Sequence, residues 1–558
     1  MLCLGQRVRP RSATTDPRGA PRRGCLPDLL SLLLLGTFWA YYVTPIVTVE
    51  KRQGGDILRD VASAINVRHG QVFADAAYRG EIIWYPPLSP MIAAGVSSLL
   101  NITPTECYLW SQLLFNWMIP AGLFLVVRLQ WGRRAAMAST VALLLAVPWW
   151  QTSVCRGQPS VHAVVWGWAA LLLYGRQHGR ASFGWAVACG LLQGVAFWHH
   201  PLLPAVLAAG FILQAGWACL GAPEGPDRRA ACDGLRREAL ILGLTLVAAA
   251  PILYLMQHGP VLNPEPREYL ADELRTGEFP LMRYNVWIWG MGLIGLVSSA
   301  RGRDVGSRLL VLAVALCTLG QLPGYARIPD LPMSSHVPVI VPHEFQLAFQ
   351  LGWAICVGVG IDATLAFLAS RVAFFRVRRS AACVLTLLAL ALTGAWGLPD
   401  VRVNLRRFLH HYGPTDPAFR EVAEWIRRNT DINDLFMCEA DWAFAWLGPQ
   451  TGRKVWVTGH GHGNPRVDWH GRVQTLEQMR ALTSPRMFWR MARERGVDYC
   501  IPSPGWLPRI LSDPKLGPIA VPTYLEPVHI AGKIHILKVV PEPAVPAPAT
   551  PDKRPPDR

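Results

Sequence analysis

Apolar residues in this chain gather into long runs, and the segments between the runs are short and often carry arginine. Runs that reach or approach crossing length lie at 29–48, 107–127, 135–151, 160–175, 181–198, 202–221, 239–256, 284–300, 307–323, 345–370 and 381–398. A helix needs about 20 apolar residues to cross the hydrocarbon core of a bilayer. The pattern therefore predicts a multi-spanning α-helical membrane protein with about eleven transmembrane helices. A further run, Leu88 to Leu100, is shorter, follows Pro86-Pro87 and contains Pro90.

Arginine placement decides how that shorter run is read. If it does not cross, one side of the membrane receives the N-terminal arginines and the clusters Arg128/Arg133/Arg134, Arg176/Arg180, Arg228/Arg229/Arg236/Arg237, Arg301/Arg303/Arg308 and Arg371/Arg376/Arg378/Arg379. The other side receives Arg156, His199-His200, the acidic segment 257–283 and the loop 324–343. Positive charge is retained in the cytoplasm. The alternation thus predicts a cytoplasmic N-terminus, and a helix over 88–100 that lies on or dips into the outer face. An odd number of crossings then places the C-terminal part outside.

The resulting map has a cytoplasmic Arg/Pro-rich tail over 1–28 and a transmembrane core over 29–398 with a long first outer loop at 49–106. An extracytoplasmic domain follows over 399–541, then a disordered Pro-rich tail over 542–558. The first run lacks a small-residue cleavage pattern and reads as a signal anchor in the cell (inner) membrane.

The 399–541 segment alternates helix and strand signals, which predicts a soluble α/β domain. Asp416-Pro417 opens a helix with Phe419, Val422, Ala423 and Ile426 at helical spacing, and Ser484-Pro485 opens another that stops at Gly496. Leu435–Cys438, Lys454–Thr458 and Val497–Ile501 read as strands; Glu526–Ile530 and Lys533–Val540, joined at Ala531-Gly532, read as a hairpin. Cys438 and Cys500 both end strands, so a disulfide between them is one reading, but nothing in the sequence fixes their separation.

Composition agrees with lipid as the main solvent. Hydrophobic residues make up 51% of the 558, mean hydropathy is +0.23, and 16% are charged, against about 25% in soluble chains. The net charge of +16 would fit a nucleic-acid binder. No basic patch is interleaved with stacking aromatics, so nucleic acid is excluded as a partner. Twelve cysteines show no C-x-x-C or zinc spacing.

The first outer loop carries the candidate chemistry. Gly54-Gly55-Asp56 leads into an amphipathic stretch with Ile57, Val61, Ala62 and Ile65 on one face and Arg59, Asp60 and Arg68 off it. Gly70 stops this helix. The chain then returns through Phe73, Asp75, Tyr78, Glu81, Trp84 and Tyr85-Pro86-Pro87-Leu88. A first crossing, an Asp soon after it, a juxtamembrane helix and G-x-x-F-x-D-x-x-Y…Y-P-P-L together resemble the GT-C superfamily of glycosyltransferases. That group includes protein O-mannosyltransferases and the aminoarabinose transferases acting on lipid A. The outer α/β domain, with Thr451-Gly452-Arg453 and Asn464-Pro465-x-Val467-Asp468, extends the likeness.

The resemblance implies a sugar transferred from a polyprenyl-phosphate donor to an acceptor hydroxyl on the outer face. Asp56 matches the family's first-loop acid and is the candidate base, a role compatible with capping its helix. Asp75 and Glu81 are candidates for binding sugar or a divalent cation, although no dense carboxylate cluster requires a metal. Tyr85 is placed with them, chiefly to set the angle of the returning chain. His199 and His200 are candidates to grip phosphate or sugar. Arg156 is a candidate to neutralise lipid phosphate, and His343 and Glu344, with Arg327 and His336 nearby, to line the cavity. Asp362, inside an apolar run, is expected to pair with Arg371. A transporter or flippase of lipid-linked glycans and a non-catalytic scaffold are the alternatives. The chain shows neither the internal repeat of many transporters nor a reason for a scaffold to carry such a loop.

Overall fold

The computed structural model describes residues 56–145, 159–177, 183–221, 224–257, 286–326, 342–371, 417–458, 464–503 and 524–541, less a few single positions, with Trp506 and scattered positions in 28–40 and 388–393. Arg156, Arg327 and His336 lie outside them, as does most of the last expected crossing.

The helices named before the α/β unit, among the described residues, are α1 (Asp56–Arg68), α2 (Leu88–Leu100), α3 (Pro104–Gln130), α4 (Arg133–Leu145), α5 (Pro159–Gln177), α6 (Phe183–His199), α7 (Leu202–Leu220), α8 (Pro226–Gln257), α9 (Val286–Arg301), α10 (Val305–Ala326) and α11 (Pro342–Arg371). Four stretches, Pro104–Gln130, Leu202–Leu220, Ala231–Met256 and Phe345–Arg371, are long and apolar enough to cross a membrane. α2 is not: 13 residues rise only about 20 Å, against a hydrocarbon core of about 30 Å. It ends at Asn101, which takes the left-handed conformation (φ 54°), and α3 starts afresh two residues on. Thr103 Oγ1 accepts from the Glu106 amide while the Glu106 carboxylate accepts from the Thr103 amide at 2.7 Å, a reciprocal cap.

Helix surfaces left uncovered by protein are apolar. Leu220, Val247, Tyr254, Val286, Leu319 and Phe367 all stand exposed, the polarity expected where lipid is the solvent. α11 is the hub, packed against α4, α9 and α10. Small residues let it come close: a Cβ on Gly295 would overlap the Cys356 carbonyl, and one on Gly360 the Met291 carbonyl. Close backbone approach between helices is a general use of glycine in membranes. Gly360→Val must therefore separate α9 from α11, since the obstacle is backbone and cannot rotate away. Thermal unfolding in detergent should show a loss of about 3 kcal/mol or more, at the upper end of overpacking.

Charges gather at one end of the bundle. Asp28 pairs with Arg128 at 3.2 Å and Arg133 at 2.6 Å. Asp362 pairs with Arg134 at 2.8 Å, not with Arg371 as expected. Sequence proximity favoured Arg371, but α4 runs beside α11 and brings Arg134 to the carboxylate from another helix.

The remainder is an α/β unit. After α12 (Pro417–Asn429) come β1 (Leu435–Cys438), a short helical passage over Ala440–Thr451 with a π-turn at Ala443–Leu447, β2 (Lys454–Val455), α13 (Trp469–Ala481), α14 (Pro485–Glu494), β3 (Tyr499–Ile501), β4 (Leu525–Ala531) and β5 (Ile534–Val539). The sheet order is β2-β1-β3-β5-β4; β2, β1 and β3 are parallel and β5 and β4 antiparallel. Side chains alternate between faces. Phe436, Cys438, Ile501 and Ile536 pack with Val422 and Ile426 of α12 on one face; Leu435, Met437, Cys500 and Leu537 pack with Met479, Phe488 and Ala492 on the other. Cys438 is in register with Ile501 and Cys500 with Met437, so the two cysteines fall on opposite faces and are free thiols.

Candidate active site

The first loop leaves the bundle as α1 and lies against the α/β unit. Residues far apart in the chain line a cleft. α1 supplies Leu58, Arg59, Asp60 and Ser63, the returning chain supplies Asp75 and Ile83 to Pro86, and the α/β unit supplies Ala443, Pro449, Val455 and Thr458. Asp56 is the first residue of α1, one turn from Arg59 and Asp60; its side chain lies outside the described part.

Asp60 departs from the helical pattern, which placed it off the apolar face. It is 1% exposed, because α1 is covered on one side by α2 and α3 and on another by the Gly448–Thr451 turn. Helical periodicity reports one buried face and cannot announce a second partner hundreds of residues away. The Arg59 guanidinium donates to Asp60 Oδ1 from Nε and Nη2, both at 3.1 Å, and lies 3.8 Å above the Tyr85 ring and 5.6 Å from that of Trp84. Tyr85 in turn faces His200, with ring centroids 6.0 Å apart.

A buried polar cluster holds the loop to the α/β unit. Asp75 Oδ1 accepts from the amides of Ala77 and Tyr78 at 2.8 and 2.9 Å, and Oδ2 from Asn464 Nδ2 at 3.1 Å. Asn464 also donates to the Ile82 carbonyl. Lys454 Nζ, 2% exposed as a residue, donates to Asn66 Oδ1 at 2.5 Å and to the Asp75 carbonyl at 2.6 Å. Asn66 donates to the Gly452 carbonyl at 3.0 Å. Gly452 has φ +71° and sits so near Ile65 that a Cβ would overlap it, so only glycine suits the position. The Arg453 guanidinium bonds the carbonyls of Arg427 and Thr430 at the end of α12, and Asp468 caps α13. The two C-terminal motifs seen in the sequence are thus docking and capping residues.

Burial raises the Asp75 carboxyl above the usual range, against its amide partners and Lys454. It pushes Lys454 down from 10.5 to about 8 and Tyr78 up to about 12. Arg472, lying 4.9 Å from the Tyr78 ring, is likewise lowered by burial. The linkage signs follow. Asp75 binds its proton more tightly folded than unfolded, so stability falls as pH rises through the window just above the ordinary carboxylate value. Lys454 binds its proton less tightly folded, so stability recovers as pH rises from about 8 toward 10.5. Hydrogen exchange of residues 71–83 against pH should show loop docking weakest between the two windows.

Asp75 and Tyr85 line the same cleft, and Tyr85 faces His200, the neighbour of His199. Glu81 lies on the loop's rim, its carbonyl accepting from the Asp75 amide and its charge facing Arg466 and Arg472. His199 and His200 are buried, not an exposed turn. His343 and Glu344 lie in the first turn of α11, and their side chains are outside the described part. Among the described residues no three His, Cys, Asp or Glu side chains are grouped so as to hold a metal. Sequence reading passed over the chemistry of Lys454, Ser89 and His162. A lysine inside a strand signal was the available hint for the first, while Ser89 and His162 gave none.

The chain shares its fold with solved structures of membrane glycosyltransferases. It is similar to oligosaccharyltransferase AglB from Archaeoglobus fulgidus, solved with an inhibitory peptide and a dolichol-phosphate (TM-score 0.56, 12% identity, 86% of this chain and 69% of that one). It is similar to ArnT from Cupriavidus metallidurans bound to undecaprenyl phosphate (0.55, 16%, 91% and 97%). Mycobacterial arabinofuranosyltransferase AftD matches at 0.54 and 13% identity, over 92% of this chain and 40% of that one. No protein-family model and no curated protein sequence matches.

Proposed function

We propose that the protein is a membrane glycosyltransferase that takes a sugar from a polyprenyl-phosphate donor and attaches it to an acceptor hydroxyl on the extracytoplasmic face. The observation that supports this reading most is the cleft at the head of α1. It is closed by the α/β unit, walled by Arg59, Trp84 and Tyr85, and belongs to a fold shared with proteins solved holding polyprenyl phosphates.

Asp56 is the proposed base for the acceptor hydroxyl. Arg59 is a cation in the cleft wall that can stabilise the departing phosphate; Arg156, outside the described residues, is the second candidate for that role. Asp75 and Glu81 are the proposed groups for binding sugar or a divalent cation, and His199, His200, His343 and Glu344 are proposed to face the same outer side. The domain map is as read from the sequence: transmembrane core 29–398, outer domain 399–541 and N-terminus in the cytoplasm of a cell (inner) membrane. Transfer from radiolabelled polyprenyl-phosphate sugars in membranes tests the activity, and absence of transfer from every donor in a panel overturns it. For topology, cysteines introduced at exposed positions 70 and 533 should both react with an impermeant reagent on intact cells. Labelling at 70 without 533 would mean an even number of crossings.

A further inference from the structure

Beneath the cleft, α2, α5 and α6 meet around one hydroxyl. Ser89 follows Pro86-Pro87 and precedes Pro90, so it belongs to the same turn as cleft residues Pro86 and Pro90. Its side chain, however, bonds to the bundle. Ser89 Oγ lies 2.7 Å from His199 Nδ1 and 3.0 Å from His162 Nδ1. The three residues are 3%, 0% and 4% exposed. The ring centroids are 5.6 Å apart, with Phe115 against His162 and Trp166 stacked on His199. Both Nε2 atoms are buried without a hydrogen-bond partner. His200 follows His199 in the chain, and Tyr85 faces His200 and carries Arg59 above it.

One hydroxyl between two imidazoles fixes their tautomers. Ser89 has a single proton, which it gives to one Nδ1; the other Nδ1 must carry hydrogen and donate to Ser89. The ring that donates therefore has a bare Nε2, an acceptor held away from water and left unpaired. A proton added there makes an imidazolium without disturbing either bond to Ser89. The cluster is a vacancy for one proton, built on three helices and bordering the cleft.

Sugar transfer leaves one proton over. The acceptor oxygen forms its bond to the anomeric carbon, and the carbon–oxygen bond to the lipid phosphate breaks with its electron pair going to phosphate. A singly charged diester becomes a monoester able to carry a second charge, and the acceptor's proton must be held nearby or lost. We propose that Ser89, His162 and His199 form a proton-holding station that gains one proton when the monoester occupies the cleft, balancing its second charge. This rests on the transfer reading above and assigns the three residues as positioning and charge-matching groups; they do not touch substrate.

Calorimetric binding of undecaprenyl and dolichyl phosphate to the full-length protein, run in two buffers of different ionisation enthalpy between about pH 5 and 8, the range in which imidazoles titrate, reads proton uptake directly. Wild type should take up a proton on binding the monoester and take up less with a sugar phosphodiester. H162Q/H199Q should bind without that uptake. Should that pair fail to fold, Ser89→Ala breaks the bridge with little change of volume and should lose most of the uptake, while Ser89→Thr restores it. Unchanged uptake in folded H162Q/H199Q or Ser89→Ala overturns the station. Wild type that binds without uptake does so too, and leaves the transfer reading intact. Wild type that binds neither phosphate removes both.

Discussion

Asp56→Asn should lower sugar transfer by about two to four orders of magnitude, the usual worth of a general base, while the protein should insert and accumulate normally. Asparagine keeps the shape and most of the capping ability of aspartate but cannot take a proton. Asp56 is the first residue of α1, whose next turn walls the cleft. The choice of control matters. Asp60 looks like a harmless neighbour in the sequence, but it is buried and bonded to Arg59, so its removal would disturb the cleft itself. Asp233, 64% exposed by side chain and paired only along its own helix turn with Arg236, is the suitable comparison, and Asp233→Asn should transfer at wild-type rate. Full transfer by a well-expressed Asp56→Asn protein would remove Asp56 from the mechanism.

Lys454→Met should release the first loop from the α/β unit at a cost of about 3–5 kcal/mol, the range for breaking a buried charged contact from one side. Methionine matches the length of lysine but leaves Asn66 Oδ1 and the Asp75 carbonyl without their donor, and the Asp75 carboxylate without its nearest cation. The expected signature is rapid hydrogen exchange in residues 71–83 with the bundle unaffected. Arg79→Ala, which removes an ion pair to Asp498 whose side chains are 37% and 39% exposed, should cost under about 1 kcal/mol. Equal effects from the two substitutions would show that the latch is not where the stability resides.

Local signals carried the architecture further than they carried the site. Apolar runs marked the helices, the hairpin at Ala531-Gly532 appeared where expected, and Ser484-Pro485 opened α14 as read. Each depends on residues close together in sequence. The first loop was legible as chemically rich, yet its walls were not, because Asp75 meets Lys454 and Asn464 only through the docking of segments nearly four hundred positions apart. The Asp362 pairing failed for the same reason: the partner came from a neighbouring helix, and the sequence pointed along the chain. Ser89 was invisible, since a serine after two prolines says nothing about the two imidazoles that share its hydroxyl.

The long separation between the two walls of the cleft has a consequence for synthesis. A ribosome delivers α1 and the returning loop early, and the strand bearing Lys454 only after the helices of the bundle have been made. Until that strand emerges, Asn66 and the Asp75 carbonyl have no donor from Lys454, and the cleft has one side. A chain cut short before residue 417 would carry Asp56, Arg59 and Tyr85 and still lack the α/β wall. Emergence of the α/β unit is thus the step that gives the cleft its second wall.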